Sequence, residues 1–431
     1  MLTLIVPICA LLTGIGLLLL GTGLLNTLLA LRGGMEGYTD SVMGIIMSGY
    51  FIGFIVGTFL ALPLIKRIGH IRAFAFCAAF TSCFALLHVV YINPVSWFLL
   101  RVATGTTLVI LYTVIESWLN GQTASSQRGK VFAVYMIVNL VALAATQQFL
   151  RLAGADSFLL FALAAIFIST SVASVTWTRM VQPEVNDVTR MKLAAIWKVA
   201  PVAVAGALFS GLAMGAFWGL GAVFASRVGL DATGVATFMS LAILGGAVFQ
   251  YPLGRYSDSQ DRRRVLLQVS AAGALGALLL AALSFAGGWL LLAGVIYGGL
   301  AFAIYPVAVA HLVDHLEPAQ ILPGGSTLLL LHGAAAAVGP ALAGVLMELI
   351  GPQALPLYFL LMQMGLALFT ARKLTVKVVD EAENPSHFVA MVRTTPTALE
   401  MHPEEPIEEE KLLQEEERLS QEEEGLSQPD S

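Results

Sequence analysis

Ionisable residues inside long apolar stretches are the side chains of this sequence most able to carry chemistry. Arg101, Glu116 and His332 each interrupt a run of apolar residues long enough to cross a membrane. A charge at the centre of a bilayer costs roughly 2.5–3.5 kcal/mol even on a lenient scale, so such residues face a protein interior or a water-filled cavity. They could bind a polar solute, or take up and release a proton.

Two of these residues share one face of a predicted helix. The residues of this stripe, spaced 4, 3, 4 and 4 apart, are Arg101, Gly105, Leu108, Tyr112 and Glu116. Residues three and four apart lie on the same helix face. One interpretation is a cavity-lining stripe that acts on a substrate or a proton. The alternatives are a snorkelling Arg101 tied to backbone carbonyls, and a structural pair between Glu116 and Arg67 or Arg72.

His332 and three further side chains are candidates for a substrate or proton site. His332 lies nine residues beyond Pro323, which places it roughly 14 Å into its helix. A histidine at that depth can exchange a proton near neutral pH, or can be a hydrogen-bonded packing residue. Gln147 can bind a polar ligand or bridge two helices. The rings of Trp218 and Tyr305 can line a cavity or pack between helices.

Two charged turns lie at corresponding places in the two halves of the chain, at residues 66–72 and 254–264. Their charges are too costly to place in lipid, so both turns are predicted at a membrane surface. The candidate gating residues in these turns are Arg67, Gly69, Arg72, Gly254, Asp258, Arg262 and Arg263.

Asp314 follows an apolar segment at a point where its carboxylate can meet Arg262 or Arg263. A salt bridge that forms in one conformation and breaks in another biases a two-state equilibrium. We therefore expect the Arg262–Asp314 and Arg67–Glu116 pairs to hold a gate shut on the side of the charged turns.

Composition predicts an all-α polytopic membrane protein. The chain has 431 residues, of which 57% are hydrophobic and 12% charged, against about 25% charged in a soluble domain. About 20 apolar residues cross the bilayer as a helix, which also satisfies the backbone hydrogen bonds. The twelve predicted spans lie near residues 4–31, 41–64, 71–92, 95–119, 130–152, 157–178, 197–225, 232–253, 264–285, 289–313, 323–349 and 353–372.

The spans divide into two halves that repeat each other. The charged turns follow the second span of each half, and such repetition is typical of transporters with a site at the midplane between the repeats. The predicted units are a six-helix bundle at 1–178, a central cytoplasmic loop at 179–196, a second, pseudo-symmetric six-helix bundle at 197–373, and an acidic tail at 374–431.

The basic residues predict the orientation of the chain. With a cytoplasmic N-terminus, the inner turns hold sixteen lysines and arginines, whereas the outer turns hold Arg32, Arg151 and Arg227. Positive charge is concentrated in cytoplasmic loops, so we expect both termini to be cytoplasmic. Asp40 and Ser41 are predicted to cap the second span, and Asp231 the eighth.

The tail differs from the rest of the chain. From Asp380 onward it holds sixteen acidic and three basic residues, a composition that favours a solvated, mostly disordered segment. A repeat of one leucine per heptad is too little for a coiled coil. The stretch at 387–392 is apolar enough to dock on the membrane domain, and the tail is also a candidate binding segment for an unknown partner.

The spans and turns resemble the major facilitator superfamily. That family carries the signature Gly-x-x-x-Asp-Arg-x-Gly-Arg-Arg after its second span, often echoed after its eighth. The matching residues of the second-half turn are Gly254, Asp258, Arg262 and Arg263. Ser259 and Asp261 replace the usual Arg and Gly there. The first-half turn keeps Arg67 and Gly69, but Lys66 stands where the family has Asp.

Other motifs narrow the resemblance. Arg101 and Gly105 are similar to the family's Arg-x-x-x-Gly motif of the fourth span, which is associated with proton coupling. The segments that resemble a bacterial branch, the YcaD-like permeases, lie at 115–120, 128–130 and 135–136. The resemblance covers about residues 1–373.

The resemblance implies a secondary active transporter of a small organic solute in the bacterial inner (plasma) membrane, working by alternating access and coupled to protons. The alternatives are a passive facilitator of the same architecture, and a transporter-like sensor or scaffold that acts through the acidic tail. The sequence has no nucleotide-binding, metalloprotease or nucleophile-elbow motif. We expect no enzymatic activity, cofactor, metal or nucleic-acid partner, only a small solute, protons and lipid.

Overall fold

The computed structural model describes residues 2–123, 127–177, 183, 190–374, 388 and 395, with side chains from residue 8 onward. These residues form helices and no strands. The helices are α1 Leu2–Met35, α2 Asp40–Ile68, α3 His70–Val90, α4 Pro94–Gln122, α5 Arg128–Thr146, α6 Phe158–Thr176, α7 Leu193–Val199, α8 Pro201–Arg227, α9 Ala232–Asp258, α10 Arg262–Ala282, α11 Gly288–Val313, α12 Pro318–Ile350 and α13 Ala354–Leu374. Most of the predicted loop at 179–196 and of the tail at 374–431 lies outside the described residues.

Twelve of these helices are long and apolar enough to cross a membrane, which confirms the predicted number of spans. The exception is α7, a helix of 7 residues. Asp231 caps α9 as predicted, with its carboxylate accepting from the Gly234 N–H. The cap of α2 is Thr39 instead of Asp40 or Ser41, because both of those residues already lie inside the helix. The Asp40 side chain accepts from Arg227 Nε at 3.0 Å.

Helices α1–α6 form the first bundle and α8–α13 the second. Within the first, α2 packs on α4, and α1 packs on α5 and α6; within the second, α9 packs on α11, and α12 on α8. The bundles meet where α2 contacts α12, α5 contacts α9, and α1 contacts α8. Because consecutive spans alternate in direction, the turns at 66–72 and 255–264 lie on one side, here called the motif face. The turns at 36–39 and 228–231 lie on the other, the far face.

Glycines set the close helix contacts. Gly49, Gly53 and Gly57, spaced four residues apart, form a glycine ridge on α2 that lies against the backbone of α4: a Cβ at Gly49 would lie 2.9 Å from the Phe98 carbonyl oxygen. Helix α12 is packed in the same way between the bundles, with Gly339 against the backbone of α8 and Gly344 against that of α2. Small residues permit such backbone approach in membranes, so the sequence of α12 makes it the central contact between the bundles.

Candidate functional site

A cavity lies between the two bundles, near the middle of the spanning helices. It holds about 790 Å³ of empty space, including the part open to solvent. Its lining residues come from α2 of the first bundle and α8, α11 and α12 of the second: Tyr50, Phe51, Phe54, Met214, Gly215, Trp218, Ala301, Phe302, Tyr305, Leu329, His332, Gly333 and Ala336. Three of the residues singled out from the sequence, Trp218, Tyr305 and His332, are therefore brought together.

The cavity continues toward the motif face. A pocket of about 220 Å³ lies between α2 and α12 and shares Phe54, Leu329 and Gly333 with the cavity. Its other lining residues include Thr58 on α2 and Leu330 on α12, both nearer the motif-face ends of their helices. This second pocket thus lies on the side of the cavity that is nearer the charged turns.

His332 places an imidazole among aromatic rings. Its Nδ1 lies 3.2 Å from the Ala207 carbonyl oxygen and 3.2 Å from the Ser210 hydroxyl. A carbonyl can only accept, so Nδ1 carries the proton and donates to it. In the neutral ring, Nε2 is then the acceptor that remains for a ligand. The Tyr305 ring lies 4.2 Å from the imidazole, centroid to centroid.

Aromatic rings form the rest of the wall. The Trp218 and Phe302 rings meet edge to face at 5.6 Å, and Tyr50 and Phe51 meet the same way at 5.2 Å on the opposite wall. The described lining residues include no carboxylate, lysine or arginine. Such walls bind planar or apolar parts of a ligand by contact area and ring-edge interactions.

Arg101 lies behind this wall instead of lining it. Its guanidinium is 4.7 Å from the centre of the Tyr50 ring, and its Nη2 donates to Asn26 Oδ1 at 2.7 Å. Asn26 Nδ2 donates in turn to the Trp218 carbonyl oxygen at 2.8 Å. Arg101 is thus connected to both walls of the cavity, through a cation–π contact on one side and an amide on the other.

The other candidates of the first bundle are placed in helix contacts outside this lining. Tyr112 and Glu116 are fully buried in α4, and Glu116 Oε1 accepts a hydrogen bond from the Tyr135 hydroxyl at 2.9 Å. Gln147 is buried, and its Oε1 accepts from the Thr27 hydroxyl at 2.8 Å, which ties the end of α5 to α1. The helix-bridging alternative for Gln147 agrees with this position.

The predicted Arg262–Asp314 pair is present on the motif face. Arg262 Nε lies 2.7 Å from Asp314 Oδ2, and both side chains are buried, with 2% and 7% exposed. Asp258 Oδ1 is 3.3 Å from Arg262 Nη2. The pair joins α10 to α11 of the same bundle, so its direct effect is on the packing of that bundle. Its role in gating stays a prediction.

The neighbouring Asp261 caps α10. Its carboxylate accepts from the Arg263 N–H at 2.9 Å and from Arg263 Nη2 at 3.0 Å. Burial alone would raise the pKa of this carboxyl, but the hydrogen bonds and charge of Arg263 outweigh burial and hold the pKa below its ordinary value.

The first-half turn has fewer buried charges. Arg67 and Arg72 are both exposed. Gly69 between them has φ +81°, a conformation that side chains rarely adopt, and it ends α2 while starting α3. The Arg67–Glu116 pair remains a prediction.

Polar contacts on the far face join the two bundles directly. Asp40 on α2 pairs with Arg227 on α8, and the Ser41 N–H donates to Glu348 on α12 at 3.1 Å. A second group lies between α9 and the 3-10 helix Gln147–Arg151 that follows α5, where the Gln148 side chain donates to the Ser240 hydroxyl at 2.7 Å. These contacts close the cavity on its far side.

Sequence reasoning missed most of the apolar lining and two polar residues of the site: Tyr50, which lines the cavity, and Asn26, which lies behind its wall. Asn26 is an amide in an otherwise apolar part of α1, which is a usable signal, since buried polar groups in membranes need partners. Tyr50 lies next to Gly49 in the glycine ridge of α2. The glycine spacing there is explained by helix packing alone, so it gave no reason to expect a ligand.

Comparison with known proteins gives matches over most of the chain. A model of the Major Facilitator Superfamily matches residues 8–321 and 203–398. The uncharacterized MFS-type transporter YcaD of Escherichia coli (strain SE11) is 28% identical over 350 residues, which cover 79% of this chain and 89% of that protein.

Solved structures share the fold. The nucleoside transporter NupG superposes with a TM-score of 0.72 at 15% identity, covering 88% of this chain and 100% of that chain. A bacterial homologue of the human lysosomal transporter Spinster, inward-facing and occupied, gives a TM-score of 0.66 at 14% identity, covering 85% and 96%. At these identities the likeness concerns the fold alone.

Proposed function

The chain belongs to the Major Facilitator Superfamily, and from that premise we propose that it is a secondary transporter of a small organic solute. The observation that carries the proposal is the cavity between the bundles, with one wall from α2 and the other from α8, α11 and α12. A solute held there contacts both bundles, so its binding energy can favour one relative position of the bundles over another. Alternating access requires this coupling.

The lining favours an uncharged solute that carries a planar or apolar group. Its rings offer contact area, and Nε2 of His332 offers one hydrogen-bond acceptor. A carboxylate or ammonium group in the solute would have to lose its water without an opposite charge among the described lining residues, which is costly.

Proton coupling is proposed to pass through His332. It is the lining side chain whose ordinary titration range is closest to neutral pH, and it reaches across the cavity wall from α12 to α8. In this proposal Arg101 sets the potential behind Tyr50. Passive facilitation is the second candidate, favoured by the lack of any carboxylate among the described lining residues.

For orientation, we propose that the motif face is cytoplasmic and that the protein is in the inner membrane of a bacterium. The excess of lysine and arginine on that face supports the assignment.

A thermal-shift screen of the purified protein tests the substrate class. Each neutral aromatic compound is paired with its carboxylated analogue, and a bound ligand raises the unfolding temperature by mass action. We expect neutral members to give shifts that the Trp218→Ala and His332→Gln variants lose. Leu99→Ala, at an exposed position on α4, is the matched control and should keep the shifts. Ligands that stabilise Trp218→Ala as well as the wild type would contradict the cavity as the site.

Flux of the best ligand into proteoliposomes, with and without a pH gradient, tests coupling. A gradient-driven accumulation that His332→Gln abolishes supports proton coupling. Saturable flux that ignores the gradient favours the facilitator instead.

A further inference from the structure

Two described residues of the C-terminal segment, Phe388 and Thr395, contact different bundles on the motif face. Phe388 lies against α9 of the second bundle, and Thr395 lies against α4 of the first. Neither residue lines the cavity, so these contacts serve something other than solute binding.

Phe388 is held on α9 by a hydrogen bond and by packing of its side chain. Its N–H donates to Asp258 Oδ1 at 2.8 Å, and its side chain packs against the buried apolar cluster that includes Val265 and Ile304. Gly254 makes room for the ring, since a Cβ there would lie 2.8 Å from Phe388 Cε1. The predicted docking of the apolar stretch is confirmed for this residue. The glycine and aspartate of the signature turn are thus both used in holding the C-terminal segment.

Thr395 contributes hydrogen-bond donors to a buried carboxylate. Its N–H lies 3.0 Å from Glu116 Oε2, and its hydroxyl donates to the same oxygen. Both residues are fully buried. A buried carboxylate is stable when donors surround it. Tyr135 supplies one donor from the first bundle, and Thr395 supplies two from the C-terminal segment.

We propose that the segment carrying Phe388 and Thr395 is an autoinhibitory strap that ties the two bundles together on the motif face. Phe388 and Thr395 are seven positions apart in one chain, so the anchor on each bundle is covalently linked to the anchor on the other. With one anchor on each bundle, the strap opposes their relative movement, and its release permits that movement. The strap holds the conformation described here, in which the far face is closed.

Distance measurements between the bundles test the strap without any substrate, so their result does not depend on whether the proposed function is correct. The native cysteines are Cys9, Cys77 and Cys83, and they are replaced first. Spin labels are then placed at the exposed motif-face positions Arg67→Cys and Arg264→Cys. Double electron–electron resonance in liposomes records the distance distribution between the bundles.

We expect a narrow distribution with the strap intact and a broader one, with a new component, in Phe388→Ala/Thr395→Val. Thr395→Ser keeps the hydroxyl and N–H donors and is the matched control. Gly254→Ala tests the same contact by a change in α9, because the added Cβ displaces the Phe388 ring while the sequence of the strap stays unchanged.

Superimposable distributions for wild type, Phe388→Ala/Thr395→Val and Gly254→Ala would overturn the strap. Size-exclusion profiles and unfolding temperatures of each variant exclude misfolding as the cause of a broadened distribution.

Discussion

The two faces of the molecule are joined in different ways. On the far face, spanning helices of the two bundles contact each other directly, through Asp40–Arg227 and through the glycines of α2 and α12. On the motif face, charged clusters lie inside single bundles, and Phe388 and Thr395 connect the bundles from outside the spanning helices. The far face is therefore closed by the transport machinery itself, whereas the motif face is held by a segment that can be removed.

The ion pairs show the same difference. Arg262–Asp314 is buried and moves with one bundle. Asp40–Arg227 joins two bundles, and the Arg227 side chain is 42% exposed. A pair inside one bundle can stay intact while the bundles rock, whereas a pair between bundles must break. A weak, exposed ion pair is suited to a position between the bundles, because breaking it costs little free energy.

The largest expected effect is at the buried pair. Asp314→Ala leaves the buried Arg262 with Asp258 as its remaining described carboxylate partner, so we expect a loss of about 3 kcal/mol in the free energy of unfolding. Denaturant titration of the detergent-purified protein measures it. Glu317→Ala, at an exposed carboxylate in the same turn, is the control. A loss no larger than that of the control would show that the pair is not structural.

Direct helix contact on the far face is tested next. The Gly44→Ala side chain would meet the Pro340 carbonyl on α12, and overpacking of this kind costs about 1–3 kcal/mol. We expect the far face to open more readily, seen as a longer far-face spin-label distance. Gly34→Ala, where an added Cβ meets nothing within 4 Å, should leave the distance unchanged. Equal behaviour of the two variants would argue against backbone packing as the closure.

A smaller effect is expected at Asp261, and it depends on pH. Because Arg263 holds the pKa of this carboxyl below its ordinary value, the charge stabilises the fold above pH about 4. That contribution is lost as the pH falls through the lower, folded-state pKa. Asp261→Asn keeps a good helix cap and removes only the charge. Its deficit, under about 1 kcal/mol at pH 7 for this partly exposed pair, should shrink in acid; a deficit constant with pH would contradict the assignment.

The smallest effect is expected at the exposed pair on the far face. Arg227→Gln should cost less than about 1 kcal/mol, and the cost should fall as salt is raised, because exposed charges are screened. Unfolding measured at low and high salt checks this. A large cost that is insensitive to salt would make the pair a structural element like Arg262–Asp314.

Much of the fold could be predicted because hydropathy is a local property. Twelve spans, the glycine ridge of α2 and the Arg262–Asp314 pair follow from composition and spacing. The cavity could be predicted only in part. Trp218, Tyr305 and His332 were identified, but the helix face that carries Arg101 and Glu116 is buried against other helices. Spacing shows which residues share a helix face, whereas what that face contacts depends on how the helices pack.

The strap contacts could be predicted least. An apolar stretch within an acidic tail suggested docking, and Phe388 does dock. Nothing local, however, connects Thr395 with Glu116, which lies 279 residues earlier. Such a contact depends on the shape of the whole motif face, which a sequence pattern does not contain.

The amide of Asn26 restricts how the bundles can move. It accepts a hydrogen bond from Arg101 and donates one to the Trp218 carbonyl, so its place requires a side chain that is both an acceptor and a donor. A slide of α1 along α8 by one turn, about 5.4 Å, would bring Thr22 or Ala30 to that place. The Thr22 hydroxyl already donates to Leu18, and alanine has no polar group. A slide of one turn therefore loses both hydrogen bonds of Asn26, so this side chain opposes axial translation of α1 along α8 more than it opposes a small tilt.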